Sequence, residues 1–228
     1  MTAPVRRVVL FAREPVAGQV KTRLAREIGE AAATALYGAF LQDLAVALPD
    51  PARWDAVLAH AEFEPGPFLA GTFRPPWELF PQGDGSLGDR LVRAVVRSRM
   101  EGRRDVVLAG SDAPTLGRDD LHAAFAALQE EADVVFAPAP DGGFSLVGLA
   151  GSWDFRNFFE GVRWSTASAL EDARRSAENK GARVALLATV PDVDELKDLE
   201  ALSPFFSADP DLAPATRRTL GFFERSRP

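Results

Sequence analysis

Short apolar runs alternate along the chain with segments whose apolar positions recur at helical spacing. The runs predict strands at Arg7–Phe11, Trp54–His60, Trp77–Phe80, Asp105–Ala109, Asp133–Pro138, Phe144–Leu149 and Arg183–Thr189. Between them Glu30–Leu48, Leu87–Met100, Arg118–Glu130 and Thr166–Lys180 carry Ala, Leu and Arg in helical patterns. Strands that are short and apolar throughout suit a sheet covered on both faces. Pro and Gly clusters fall between these elements, at Pro65-Gly66-Pro67, Pro75-Pro76, Pro138 to Gly143 and Pro191. The predicted architecture is a three-layer αβα domain around a mostly parallel, mixed sheet of Rossmann-like type, spanning residues 1–204. After Pro204 the pattern breaks into a tail, 205–228, with one predicted helix at Ala213–Glu224. That helix is expected to pack outside the sheet or to serve a homodimer contact.

Composition narrows the picture. At 228 residues, 46% hydrophobic and 26% charged, the chain can bury one substantial core. With no Cys, disulfides, thiolate catalysis and Cys-ligated metal sites are excluded. His60 and His122 are too few for a His-rich metal site and show no triad spacing. A formal net charge of −7 argues against broad nucleic-acid binding, which demands a basic face. No apolar stretch reaches the ~20 residues of a membrane span, and no signal-peptide core opens the chain. The expectation is a soluble, cytoplasmic protein.

In open α/β sheets, ligands bind beyond the carboxyl ends of the strands, and the chemically loaded residues of this chain fall there repeatedly. The first run empties into Ala12-Arg13-Glu14-Pro15-Val16-Ala17-Gly18-Gln19-Val20-Lys21-Thr22-Arg23. Arg13, Lys21 and Arg23, with Gly18 and Thr22 between them, offer positive charge and backbone N–H groups to a polyphosphate. This is no Walker A loop, because Gln19 and Val20 separate Gly18 from Lys21. Gly110-Ser111-Asp112-Ala113-Pro114 follows the fourth run, and Asp112 there suits either a Mg²⁺ ligand or a helix N-cap. Asp192 and Asp194, two apart and so able to face one way, pose the same choice near the last run. Asp141-Gly142-Gly143 is a turn signal whose glycines allow a ligand close to the backbone, with Asp141 free to accept a hydroxyl. Gly85, inside Gln82-Gly83-Asp84-Gly85-Ser86, either passes close to a base or sugar or merely precedes an Asp or Ser cap. Trp164 ends an aromatic patch with Phe155, Phe158 and Phe159, either core or the wall of a ligand site.

The segments FAREPVAGQVKTRLA, GDGSLGDRL, GSDAPTL, PAPDGGFSLVGL, FEGVRWSTASAL and DVDELKDLEAL resemble, in order, the radical-SAM and selenodomain-associated transferases of glycosyltransferase-A (GT-A) fold. The first and last are more distantly similar to phospholactate guanylyltransferase and to the guanylyltransferase of molybdopterin. The resemblance implies a nucleotide-diphospho-sugar transferase fold and a Mg²⁺- or Mn²⁺-assisted transferase joining a nucleotide to a small acceptor. It implies Asp112 and Asp194 as metal ligands, Lys21, Arg13 and Asp112 as catalytic residues, and Gly18, Thr22, Arg23, Gly85, Gly110, Ser111, Asp141, Gly142 and Gly143 around the substrates. Two departures stand out: Glu195-Leu196 replaces the usual Thr-Pro, and Ser145 stands where relatives often carry an aromatic residue. The cationic loop favours nucleotidylyl transfer from a triphosphate to a phosphorylated acceptor. Glycosyl transfer from a nucleotide-diphosphate sugar is the alternative, and a nucleotide-binding protein without turnover a further one.

Overall fold

The computed structural model describes residues 5–226. Its first half runs β1 (Arg6–Ala12), α1 (Thr22–Ile28), α2 (Glu30–Ala47), β2 (Asp55–His60), α3 (Pro67–Thr72), β3 (Glu78–Pro81) and α4 (Leu87–Met100). β4 (Asp105–Gly110), α5 (Arg118–Glu130), β5 (Val134–Pro138), β6 (Phe144–Leu149), α6 (Ala169–Asn179) and β7 (Val184–Leu186) follow. The chain then closes with α7 (Leu196–Ala201), α8 (Ser203–Ala208) and α9 (Pro214–Ser226). All seven predicted strands form, in one sheet of order β3-β2-β1-β4-β6-β5-β7. β6 is antiparallel to both β4 and β5, and every other pairing is parallel.

The sheet is buried on both faces, which is why its strands read as unbroken apolar runs. Along β1, Val8 and Leu10 enter the core shared with α1, α2 and α5, while Val9 enters the core shared with α4 and α6. The three-layer α/β fold expected from the sequence is therefore the fold observed. No helix among the described residues is long and apolar enough to cross a membrane.

Several boundaries differ from the expectation, each for a local reason. β7 is shorter than Arg183–Thr189 because Leu187 and Val190 still donate to Phe136 and Pro138 but leave the regular ladder. α6 starts at Ala169 rather than Thr166: the Thr166 hydroxyl donates to the Arg163 carbonyl and holds that stretch as a turn. The segment read as a phosphate loop ends in the helix α1, which has one buried residue, Leu24, and so no periodicity to read. α9 lies against α2, where the buried Asp43 carboxylate accepts the Ala215 and Thr216 backbone N–H groups, each at 2.8 Å.

At the amino end of the sheet Arg7, 1% exposed, fixes β1 to its neighbours. Its guanidinium pairs with Glu101 at 2.5 Å, Asp55 at 3.3 Å and Glu78 at 3.5 Å, while its buried Nε has no partner among the described residues. Removing the cation takes the shared partner from three carboxylates, of which Asp55 keeps Arg103 and Glu101 keeps Arg97, and empties the buried space that the Arg7 side chain fills. Arg7→Met is expected to lower unfolding free energy by about 3 kcal/mol in urea titrations; a change under about 0.5 kcal/mol would deny Arg7 this role.

Candidate functional site

The carboxyl ends of β1 and β4 open side by side, since the two strands pair in parallel with Phe11 opposite Gly110. The chain beyond β7 crosses to the same edge, where the Val193 N–H donates to the Asp112 carbonyl at 2.9 Å. Three segments distant in sequence thus meet, and Lys21 joins them. Lys21 takes a left-handed backbone conformation (φ 47°) at the N-terminus of α1, which turns its side chain inward, where it is only 4% exposed. Its ammonium donates to the Val193 carbonyl at 2.6 Å and to Asp194 Oδ1 at 3.3 Å, and pairs with Asp112 Oδ1. An ammonium has three protons, and here each has an acceptor. From the sequence, Lys21 is expected to face phosphate directly. In the structure it clamps the two candidate metal ligands, and its contact to a bound anion would have to be made past them.

The helix-capping alternative for the two aspartates is answered by the caps themselves. α5 begins from Gly117, whose N–H is accepted by Asp120, not Asp112. α7 begins from Glu195, and Asp198 accepts the N–H groups of both Asp194 and Glu195. Asp112 and Asp194 are left facing the crevice, 50% and 41% exposed. Arg23 Nη1 approaches Asp194 Oδ2 at 3.5 Å, with its side chain 55% exposed. Thr22 is exposed beside it on the first turn of α1, and Gly18 (φ 77°) makes the turn before it. Arg13 is exposed, touches the Gln19 carbonyl at 3.5 Å and pairs with no carboxylate among the described residues. It is the loop cation most open to an anion.

Sequence reasoning missed the groups that hold this edge. Tyr37 of α2 bonds Ser111 Oγ at 2.9 Å and accepts the Arg13 N–H at 3.3 Å, so one hydroxyl ties the first loop to the end of β4. Burial, reinforced by Asp112, pushes its pKa up and keeps it protonated. Glu14 caps α3 by accepting the Phe68 and Leu69 N–H groups. Gln82, buried, donates to the carbonyls of Ala12 and Ala59. Being the chain's one tyrosine in a helix is no functional signal, whereas Glu14 stood inside the first motif and was passed over for its cations.

Beside the carboxylate pair lies a cavity of ≈ 190 Å³ between β4, β6, α4 and α6. Gly110, Asp141, Gly143 and Asp192 line it, so four of the sequence candidates share one opening. Asp141 Oδ1 accepts the Gly143 N–H at 2.7 Å, and Gly142 (φ 88°) packs so closely on the turn before α6 that a Cβ would lie 2.2 Å from the Ala167 carbonyl oxygen. Phe155, Phe158 and Phe159 are core, while Trp164 stands at the cavity wall. Gly85 is not in this cavity; it lines a wider groove of ≈ 1100 Å³ with Ser86 and Trp164, and Ser86 forms a capping box with Asp89. Neither histidine lines either opening.

The edge carries an excess of negative charge. Asp192 is pushed up to about 6, first by burial and then by repulsion from Asp141, with Asp194 and Asp112 adding to it. A carboxyl whose pKa is raised on folding costs stability above that pKa and costs none once the unfolded chain is also protonated, below about 4. Discounted for its partial exposure, Asp192→Asn is expected to stabilise the metal-free protein by about 1 to 2 kcal/mol at pH 7.5. The gain should fade toward pH 4.5; thermal melts that show an equal gain at both pH values would disprove the repulsion.

The family model described as an uncharacterized protein conserved in bacteria (DUF2064) matches residues 44–166, just over half of the chain. No curated protein matches it. Among solved structures, a candidate nucleotide-diphospho-sugar transferase from Desulfovibrio desulfuricans G20 superposes with a TM-score of 0.85 at 25% identity, over 97% of this chain and 98% of that one. A cytidylyltransferase from Leptospira borgpetersenii serovar Hardjo-bovis (TM-score 0.55, 13% identity, 98% and 95% covered) shares the fold. So does a CMP:2-keto-3-deoxy-manno-octonic acid synthetase solved with CTP (0.54, 12%, 90% and 99%). The chain belongs to the DUF2064 family and has the fold of the nucleotide-diphospho-sugar transferases.

Proposed function

We propose that the protein is a transferase that takes a nucleotide donor with the help of a divalent cation. The observation that carries this reading is the convergence of Lys21, Asp112 and Asp194 at the carboxyl edge of the sheet. The 25%-identical neighbour described as a nucleotide-diphospho-sugar transferase supports it independently.

The donor set fits Mg²⁺ or Mn²⁺. It is entirely oxygen, hard, and richer in carboxylate than in cation. Asp112 and Asp194 would hold the ion. Among the described residues no cluster of three or more His, Asp or Glu groups could complete its shell. Phosphate oxygens and water would supply the remaining ligands, the usual arrangement for Mg²⁺. When bound, the ion neutralises charge on the phosphates and on the leaving group.

The protein's own residues supply positioning. Lys21 keeps the two carboxylates together against their mutual repulsion, and Arg13 and Arg23 stand on the exposed side, where phosphate oxygens would lie. In nucleotidylyl transfer, an acceptor phosphate already ionised near pH 7 needs no general base, so orientation and charge would be the whole catalysis. In glycosyl transfer, an acceptor hydroxyl needs one, and Asp141 stands at the cavity mouth for that task.

Isothermal titration of nucleoside triphosphates and nucleotide-diphosphate sugars tests the site. Mg²⁺ is expected to strengthen binding at least about tenfold, and Asp112→Asn to abolish that gain. Equal affinity in Mg²⁺ and in chelator would overturn the assignment. Lys21→Met should cost about 1 to 2 kcal/mol of stability, because it leaves Asp112 without its cation and Asp194 with only the exposed Arg23, and lower kcat/KM by about ten- to a hundredfold. Arg13→Ala, which removes an exposed cation, should weaken phosphate binding with no measurable change in melting temperature.

A further inference from the structure

α4 carries a second apolar stripe beside the one it buries. Leu91, Ala94 and Val95 face the core, whereas the half-buried Val92 is followed at four-residue intervals by Val96, 42% exposed, and Met100, 84% exposed. Val92 and Val96 line the wide groove of ≈ 1100 Å³, whose opposite wall is the segment 157–164 with Phe159, Val162 and Trp164. That wall is held from behind and below. The Ser176 hydroxyl donates to the Phe158 carbonyl at 2.7 Å, and Arg163 Nε donates to Asp172 at 2.8 Å. Gly88 lets the wall close on α4, since a Cβ there would lie 3.2 Å from Phe159 Cβ.

The dimensions suit a polypeptide. A groove of ≈ 1100 Å³ exceeds the about 300 to 1,000 Å³ of small-molecule pockets, and the exposed stripe runs beyond it to Met100. Along α4 the lining extends from Ser86 to Val96, about 15 Å at the helical rise. About three turns of a second helix cover that length, and a helix laid in a groove is read through apolar anchors at such spacings.

Charge selects among the macromolecules. Asp84, Asp89 and Glu160 stand exposed along the groove. Among the described residues Asp84 and Glu160 have no partner for their carboxylates, and that of Asp89 bonds only Ser86. Arg93, the one cation among the described lining residues, directs its N–H groups to the carbonyls of Gln82 and Asp84, at 2.5 and 2.8 Å. A second copy meeting this face through a two-fold axis would set these carboxylates against themselves. Nucleic acid and anionic lipid surfaces are repelled for the same reason. The partner that fits is positively charged.

We infer that the groove between α4 and the segment 157–164 is a docking surface for a basic amphipathic helix of another polypeptide. Its apolar face would lie on Val92, Val96 and Trp164, with Lys or Arg side chains toward Asp84, Asp89 and Glu160. Trp164 also walls the cavity that Asp141 and Asp192 line, so the docked helix would lie against the candidate site. The inference does not depend on the nucleotide-donor reading.

Fluorescence anisotropy tests it with a labelled peptide of two Leu-Lys-Lys-Leu-Leu-Lys-Leu repeats, compared with the same peptide carrying Glu in place of Lys. The Lys probe is expected to bind with a Kd of about 100 μM or tighter in physiological salt, and at least about tenfold more tightly than the Glu probe. Asp84→Asn combined with Glu160→Gln should weaken binding about tenfold, and Val96→Asn severalfold. Glu200→Gln combined with Asp211→Asn removes the same charge from exposed positions outside the groove and should leave the affinity within about twofold. All five substitutions are at exposed positions, so each variant should fold with its melting temperature unchanged. A Lys probe that does not bind, a Glu probe that binds as well, or groove variants that act no more strongly than the Glu200 and Asp211 pair would overturn the docking surface. A dimer in sedimentation that Val96→Asn dissociates would assign the groove to a second copy and overturn it as well.

Discussion

The buried ammonium of Lys21 is the constraint on which the candidate site depends. Placing a cation where its side chain is 4% exposed costs desolvation energy that only close, well-directed acceptors can offset. Lys21 has them on two segments, one at the end of β4 and the other beyond β7, and it adds the rings of Tyr37 and Phe40 at 5.8 and 6.0 Å. Without it, Asp112 and Asp194 would repel each other at the point where they must converge. With it, three segments share one register, and the left-handed backbone of Lys21 makes that register possible by turning the chain inward at the start of α1.

The second constraint is topological. Because β6 runs antiparallel between β4 and β5, its first residues lie at the same edge as the last residues of the parallel strands. Phe144 and Ser145 therefore reach a crevice otherwise built from strand ends. The hairpin turn that precedes them packs with Gly142 against Ala167, so the turn that presents Asp141 lies close against the start of α6. A fully parallel sheet of the same strands would need a long crossover here and would lose both the turn and the cavity floor.

The sheet was legible in the sequence because burial on both faces makes each strand an apolar run, and β6 matched its predicted bounds residue for residue. The short helices α1, α3 and α8 were not, since six or seven residues give too few buried positions for a period to emerge. The capping ambiguity at Asp112 and Asp194 was resolvable in principle: Asp120 stands three residues after Gly117, and Asp198 three after Glu195, the spacing of a carboxylate that reaches back to a helix start. What one-dimensional reading could not reveal is the partner of Lys21. A lysine among glycines and arginines looks like a phosphate ligand until the chain brings two aspartates from 91 and 173 residues away to meet it.

That partnership changes what the first loop can do. Of its three cations, Lys21 is committed to carboxylates, Arg23 leans on Asp194 from an exposed position, and Arg13 pairs with no carboxylate among the described residues. Against them stand Asp112, Asp194, Asp141 and Asp192, the last with a pKa raised first by burial and then by its neighbouring carboxylates. A diphosphate entering such a site adds negative charge to an edge already negative, so binding requires that positive charge come with it. A divalent ion held by Asp112 and Asp194 would supply that charge, whereas no Lys, Arg or His among the described residues lines the cavity between β4 and β6. The two ends of the crevice are thus chemically unlike: Asp112 and Asp194 face the cations Lys21 and Arg23, while Asp141 and Asp192 line a cavity with no cation among its described lining residues.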